Sequence, residues 1–262
     1  MIIFHCDLDS TLIYSEKHEI SEKKILLEEY DGGATYITKK TLDGLSEINE
    51  KVIVVPTTTR SQKLYNRINW QGCTFRYALV ANGALLLEDG ISNPNWKKET
   101  EKLIEPSKDE LEKAAKMLAD DYRRSRAVDF LEDSFLFTKV RNIDDVVFEL
   151  EKVLDLSKVT VRVYKEKLYV LPIMLEKGEA LRRFKRYVIE KEKLKESAVQ
   201  QLAAGDGDFD ISMIREADVG MAHYKLKDKL KISPESNTKV VFMGENCIFS
   251  DEIVSKLKLY RN

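Results

Sequence analysis

Residues 1–15 read MIIFHCDLDSTLIYS, a mostly apolar run followed at once by Asp7, Leu8, Asp9, Ser10 and Thr11. The run predicts a buried strand. Two carboxylates one residue apart at its end are out of place in an ordinary core, because burying unpaired carboxylates is expensive. A stable fold keeps such a pair where a cation or a reaction makes use of it.

Working outward, TKKTLDGLSEINEK (38–51) has the spacing of an amphipathic helix, and VIVVP (52–56) that of a short, fully buried strand. A helix from about Ser61 to Asn69 and a strand at YALVA (77–81) follow. Strands alternating with helices predict a parallel sheet wrapped by crossovers. The pattern then changes to a long helix over about 107–125, a strand near 134–140 and a helix over 142–154. Residues 158–173 read as two strands joined by a tight turn at Lys165 to Lys167, which belongs to an α+β unit. Alternation returns with EKGEALRRFKRYVIEKE, VQQLAAGD, DISMIREADVGMA, TKVVFM and a C-terminal helix from about Phe249. The expected organisation is an α/β domain of residues 1–84 plus 176–262, interrupted by an α+β module at 85–175.

Bulk properties narrow the function. The 43 Lys and Arg against 45 Asp and Glu are interleaved at helical spacing, which describes solvated helix faces rather than a nucleic-acid surface. Three cysteines without paired spacing argue against a disulfide framework and for a reducing compartment. No segment approaches the roughly 18 apolar residues of a membrane span. The expectation is a soluble, cytoplasmic protein without nucleic-acid or membrane partners. The sequence does not give its oligomeric state.

Ligands of open parallel sheets bind at the carboxyl ends of the strands. Those ends carry Asp7 and Asp9, Thr57 to Arg60, Asn82 and Gly83, and Asp206 to Asp210. DGDFDISM begins like a calcium loop but has Ile211 and Ala217 where that loop needs Gly and Glu. No dinucleotide fingerprint, phosphate loop or cysteine-phosphatase motif is present, and with three His no Ser-His-Asp arrangement is compelling. What remains is several carboxylates with a Lys, hydroxyls and backbone N–H groups, an outfit for holding a hard dication and an anion together. Mg²⁺ prefers one or two carboxylates, phosphate oxygens and water. An Asp is ionised at pH 7 and can attack phosphorus once its repulsion from the phosphate is offset. A second acid at i+2 would serve to protonate the leaving oxygen. Two carboxylates about 4 Å apart in an effective dielectric near 20 repel by about 4 kcal/mol, or about three pKa units, which lifts one toward neutrality.

These residues resemble the haloacid dehalogenase-like (HAD) phosphatases, in the branch of Cof-type and sucrose-phosphatase-like hydrolases. Asp7, Asp9 and Thr11 match its Asp-x-Asp-x-Thr motif, and TTTRS (57–61) resembles its second motif, with Thr58 at the key position and Arg60 beside it. ANGALL (81–86) resembles the Asn-Gly-Ala stretch before the cap, and EKGEALRRF (176–184) the third motif, with Lys177 as its lysine. GDGDFDISMIREADVGMA (205–222) resembles the fourth, with Asp206 and Asp210 as its acids. The five stretches occur in the family's order and spacing.

The resemblance implies a Rossmann-like parallel-sheet core with the 85–175 module as a cap closing over the site. It implies a Mg²⁺-dependent phosphatase acting on a small phosphorylated metabolite, a sugar or polyol phosphate. Asp7 would form the aspartyl-phosphate, and Asp9 would protonate the leaving oxygen and later activate water. Asp7, the Asp9 backbone carbonyl, Asp206 and Asp210 would hold the metal. Thr58 and Lys177 would hold the phosphoryl oxygens, and Thr11, Arg60 and Asn82 would be candidates for substrate contact. Ser10, Thr59 and Phe209 stand where the family has Gly, Gly and Asn. Phosphoryl transfer to another hydroxyl, and a non-catalytic binding protein of the same fold, are the alternatives.

Overall fold

The run that opens the chain forms β1 (Ile2–Cys6), all but its first residue buried. The structure is a computed structural model that describes residues 1–20, 23–233 and 236–260. After β1 come β2 (Tyr14–Ser15), β3 (Lys24–Tyr30) and β4 (Gly33–Thr38), which pair in the order β2-β4-β3 as a small antiparallel sheet. No strand is expected there from periodicity, because LLEEY breaks the alternation. The hairpin is carried instead by Asp31-Gly32, with Gly32 at φ +89°, where glycine has no steric cost. Helix α1 (Lys39–Ile48) starts at Thr38, whose hydroxyl accepts from the Thr41 N–H at 3.0 Å, and buries Thr41, Gly44, Leu45 and Ile48 as one stripe. Strand β5 (Ile53–Pro56), the short α2 (Gln62–Tyr65) capped by Ser61, and β6 (Tyr77–Val80) follow. Strands β7 (Leu85–Glu88) and β8 (Ile91–Ser92) turn back on β6 as an antiparallel meander.

The second unit spans Asn93–Leu175. It opens with α3 (Pro94–Ile104), started by Asn93, whose side chain accepts from the Asn95 and Trp96 N–H groups, with Pro94 at the first turn. Next are α4 (Lys108–Ala119), β9 (Asp129–Leu131), β10 (Phe135–Lys139), α5 (Ile143–Val153), β11 (Val159–Tyr164) and β12 (Lys167–Pro172). The four strands form an antiparallel sheet, β11-β12-β10-β9. Leu111, Leu118, Val146 and Leu150 of the two helices pack with Leu136, Leu168 and Val170. The single long helix expected over 107–125 stops at Ala119, and a separate helix precedes it. The first unit runs to Ser92, past the expected junction at 84/85, because β7 pairs onto β6 and β8 onto β7.

The chain returns to the first unit with α6 (Lys177–Glu192), β13 (Gln200–Gly205), α7 (Ile211–Glu216), β14 (Val219–His223), β15 (Lys239–Met243) and α8 (Phe249–Leu257). Five parallel strands lie in the order β15-β14-β13-β1-β5, so β1 sits between strands drawn from opposite ends of the chain. The pleat sends Phe4, Cys6, Leu202 and Ala204 into one core with Leu45 and Ile48 of α1 and Ile253, Val254 and Leu257 of α8. Ala203 faces the other way, onto Leu181 of α6 and Met213 of α7. This α/β/α layering brings the carboxyl ends of β1, β5 and β13 to one edge.

Candidate active site

Asp7 follows the last residue of β1, and its backbone N–H donates to the Ala204 carbonyl of β13 at 3.0 Å. The strand ladder therefore carries its carboxylate to the sheet edge, where it is buried. Lys177, the first residue of α6, is 1% exposed. Its Nζ donates to Asp7 Oδ1 at 2.5 Å and to Asp210 Oδ1 at 2.7 Å. Gly178 lets the helix start come this close: a Cβ there would stand 2.8 Å from the Ser212 carbonyl oxygen, and its N–H instead donates to Ser212 Oγ at 3.1 Å. Gly205 does the same for Asp210, since a Cβ at 205 would lie 2.2 Å from the Asp210 Cβ.

Asp210 is fixed further by the Asp206 and Gly207 N–H groups, which donate to its Oδ2 at 2.9 and 2.8 Å. Asp206 accepts from Thr11 Oγ1 at 3.0 Å and from Lys225 Nζ at 2.5 Å. One ligand atom from each of Asp7, Asp206 and Asp210 lies within 4.8 Å of the others. Opposite ligands of a Mg²⁺ with bonds of about 2.1 Å are about 4.2 Å apart. Burial and the neighbouring Asp210 push the Asp7 carboxyl well above the usual carboxylate range, against the pull of Lys177. Burial and Asp210 also raise Asp206, while Lys225 and Thr11 oppose the rise. Burial would lower Lys177, but Asp210 and Asp7 outweigh it and hold the ammonium charged. An all-oxygen donor set in which Asp7 and Asp206 resist ionisation is short of positive charge. A hard divalent cation fits that deficit.

The crowding expected between Asp7 and Asp9 falls instead among Asp7, Asp206 and Asp210. The turn after β1 carries the Asp9 side chain outward, to 55% exposure, into the fork of Arg60. Arg60 Nε and Nη2 donate to its two oxygens at 2.8 and 2.7 Å. Arg60 and Thr11, expected at the substrate, are thus each engaged with a carboxylate. Thr58 is buried after β5; its hydroxyl accepts from the Arg60 N–H at 3.1 Å and its carbonyl from the Asn82 N–H at 2.8 Å. Asn82 is buried in a left-handed conformation, φ 58°. Asp208 lies outside the cluster, paired with Lys229 at 2.9 Å.

Two participants escape a reading of the sequence. Lys225 lies just past the carboxyl end of β14, and the strand-end rule, extended by one strand, reaches it. Glu28, which accepts from Arg60 Nη1 at 2.6 Å, sits in the hairpin that periodicity does not reveal.

No protein-family profile and no curated protein sequence matches the chain. Solved structures do. The sucrose-phosphatase from Synechocystis sp. PCC6803, solved with sucrose and phosphate, aligns over 98% of both chains with a TM-score of 0.60 at 14% identity. This chain has the HAD fold. A HAD-superfamily phosphatase from Bacteroides thetaiotaomicron covers 98% of it, and 94% of its own length, at a TM-score of 0.55 and 15% identity. A HAD subclass IIB sugar phosphatase aligns over 99% of both chains at 0.54 and 16%. The likeness therefore extends over nearly the whole chain, the 93–175 unit included.

Proposed function

We propose that this protein is a Mg²⁺-dependent phosphatase of small phosphorylated metabolites, of the sugar or polyol phosphate class, working through an aspartyl-phosphate on Asp7. The observation that carries the reading is Lys177 bridging Asp7 and Asp210 beside Asp206, four residues from three distant stretches meeting at the sheet edge. The fold neighbours support the substrate class, two being a sucrose-phosphatase and a sugar phosphatase. Mg²⁺ would be held by Asp7, Asp206 and the Asp9 backbone carbonyl, with Asp210 in the same cluster. When bound it supplies positive charge against the repulsion between Asp7 and the phosphate.

In this reading an Asp7 carboxylate oxygen bonds to phosphorus while the phosphorus to ester-oxygen bond breaks. Its electron pair stays on the ester oxygen, which takes the proton carried by Asp9. Asp9, now a carboxylate, then takes a proton from water as the water oxygen bonds to phosphorus. The bond from Asp7 to phosphorus breaks, phosphate leaves, and both acids are restored. Lys177 offsets charge on the transferring oxygens. The Thr58 hydroxyl, which already accepts from the Arg60 N–H, has its own proton to give to one of them. Asn82, whose N–H braces Thr58, follows the neighbouring strand β6 and would contact the substrate.

Among the described residues no helix is long and apolar enough to cross a membrane. Cys6, Cys73 and Cys247 are all free thiols, which suits the reducing cytoplasm. The test is release of inorganic phosphate from a sugar- and polyol-phosphate panel with Mg²⁺. Activity is expected to vanish with EDTA. Activity that survives chelation, or delivery of the phosphoryl group only to a second hydroxyl compound, contradicts the reading.

A further inference from the structure

Glu28 is a buried acid for which the catalytic steps above give no role. It lies on β3 where the pairing with β4 slips: Leu26 faces Tyr36, but Glu28, two residues on, faces Thr35. The slip leaves Leu27 and Glu28 buried in succession, which a regular strand does not allow with one face on the core. The bulge thus turns a carboxylate inward to 1% side-chain exposure. Such a group destabilises the fold unless it is matched. Here it accepts from Thr35 Oγ1 at 3.0 Å and Arg60 Nη1 at 2.6 Å, and pairs with Arg67 Nε at 3.3 Å.

Arg60 therefore has two acidic partners on different edges of one guanidinium. Nη1 points to Glu28, while Nε and Nη2 hold both oxygens of Asp9. Its backbone is fixed as well, the N–H on Thr58 Oγ1 and the carbonyl on the Ala81 N–H at 2.7 Å. Asp9 by itself is a half-exposed side chain with free torsions. A proton donor must meet its acceptor within about 3 Å, and a planar fork sets both the place and the plane of the carboxyl.

We propose that Glu28 is a positioning residue for proton transfer. By locking the orientation of Arg60, it sets where the Asp9 carboxyl stands when the leaving oxygen needs its proton. This rests on Asp9 being the proton donor of the proposed phosphatase. It also gives a purpose to the bulge in the β3/β4 hairpin.

The experiment compares an alkyl phosphate, whose leaving oxygen needs a proton, with p-nitrophenyl phosphate, whose leaving group does not. In Glu28→Gln, kcat/KM for the alkyl phosphate, which ends at loss of the leaving alcohol, is expected to fall by about tenfold or more, as when a general acid is misplaced. On p-nitrophenyl phosphate kcat/KM should stay within about threefold, whereas kcat on either substrate also contains the water step that Asp9 serves. Arg60→Lys keeps the charge and loses the fork. It should show the same selective loss, and it carries the test alone if Glu28→Gln does not fold. Equal losses of kcat/KM on both substrates, or none on either, overturn the role of Glu28 in an enzyme that is otherwise active. A wild-type protein that hydrolyses neither substrate refutes the phosphatase reading, and this role with it.

Discussion

Ser10 adopts φ 66° in the turn between Asp9 and Thr11, a left-handed conformation that costs a residue with a Cβ about 1–2 kcal/mol. Glycine would relieve that cost and lose about 0.5–1 kcal/mol in backbone entropy. Ser10→Gly is therefore expected to raise stability to urea by up to about 1 kcal/mol, and a loss of stability would show that the serine side chain matters. Asp7 is the sharper case. Its carboxyl is disfavoured in the ionised form by burial and by Asp210, so Asp7→Asn should raise the thermal midpoint of the metal-free protein while lowering kcat by about 10⁴-fold or more. A midpoint that falls contradicts the account of the cluster. The sign of the pH dependence follows from the same shifts. The folded protein holds protons on Asp7 and Asp206 more tightly than the unfolded chain, so stability from these groups declines from about pH 4 upward through their raised folded values. Mg²⁺ should restore it, and by more at about pH 7.5 than at about pH 5, because the ligands must lose their protons. Urea unfolding at both pH values checks this; equal stabilisation by Mg²⁺ at each would contradict it. Asp7, Asp206 and Asp210 are legible in the sequence because they follow strands on one sheet edge, and Lys177 through the resemblance of EKGEALRRF to a family motif. Glu28 is not, because a bulge rather than a periodic pattern turns it inward.

At the scale of elements, close approach is set by small residues. A Cβ on Gly205 would collide with Asp210, and one on Gly44 of α1 would lie 2.0 Å from a Val254 methyl of α8, on the sheet face lined by those two helices. Both Gly→Ala variants should lose about 1–3 kcal/mol of stability to overpacking. Gly205→Ala should also lower kcat/KM by about tenfold or more, while Gly44→Ala keeps it within about twofold, as phosphate-release kinetics on the two variants will show. Equal kinetic effects would mean that Asp210 is not placed through Gly205. The parallel strands and α1, α6 and α8 can be read from the sequence because apolar runs and helical stripes are strong there. The β3/β4 hairpin breaks the alternation, and α3 is polar, burying only Trp96, Thr100 and Ile104; their signals are local: a left-handed glycine after Asp31, and Asn93 followed by Pro94.

At the scale of the molecule, one polypeptide builds two units, and the α/β unit is assembled from both ends of the chain. Its site needs Asp7 from near one end and Asp206 from near the other, so the central sheet must close before any chemistry exists. The 93–175 unit has its own buried cluster around Leu111, Leu136, Leu150 and Leu168. Expressed alone, it is expected to unfold cooperatively on heating, and a featureless melt would show that it depends on the rest of the chain. The central claim concerns Asp7, and the most direct measurement is of the covalent intermediate. Protein quenched in acid during turnover of a sugar phosphate with Mg²⁺ should carry a phosphoryl group on the peptide containing Asp7, and Asp7→Asn should carry none. Turnover with no phosphoryl group on that peptide, or undiminished turnover in Asp7→Asn, would contradict the account.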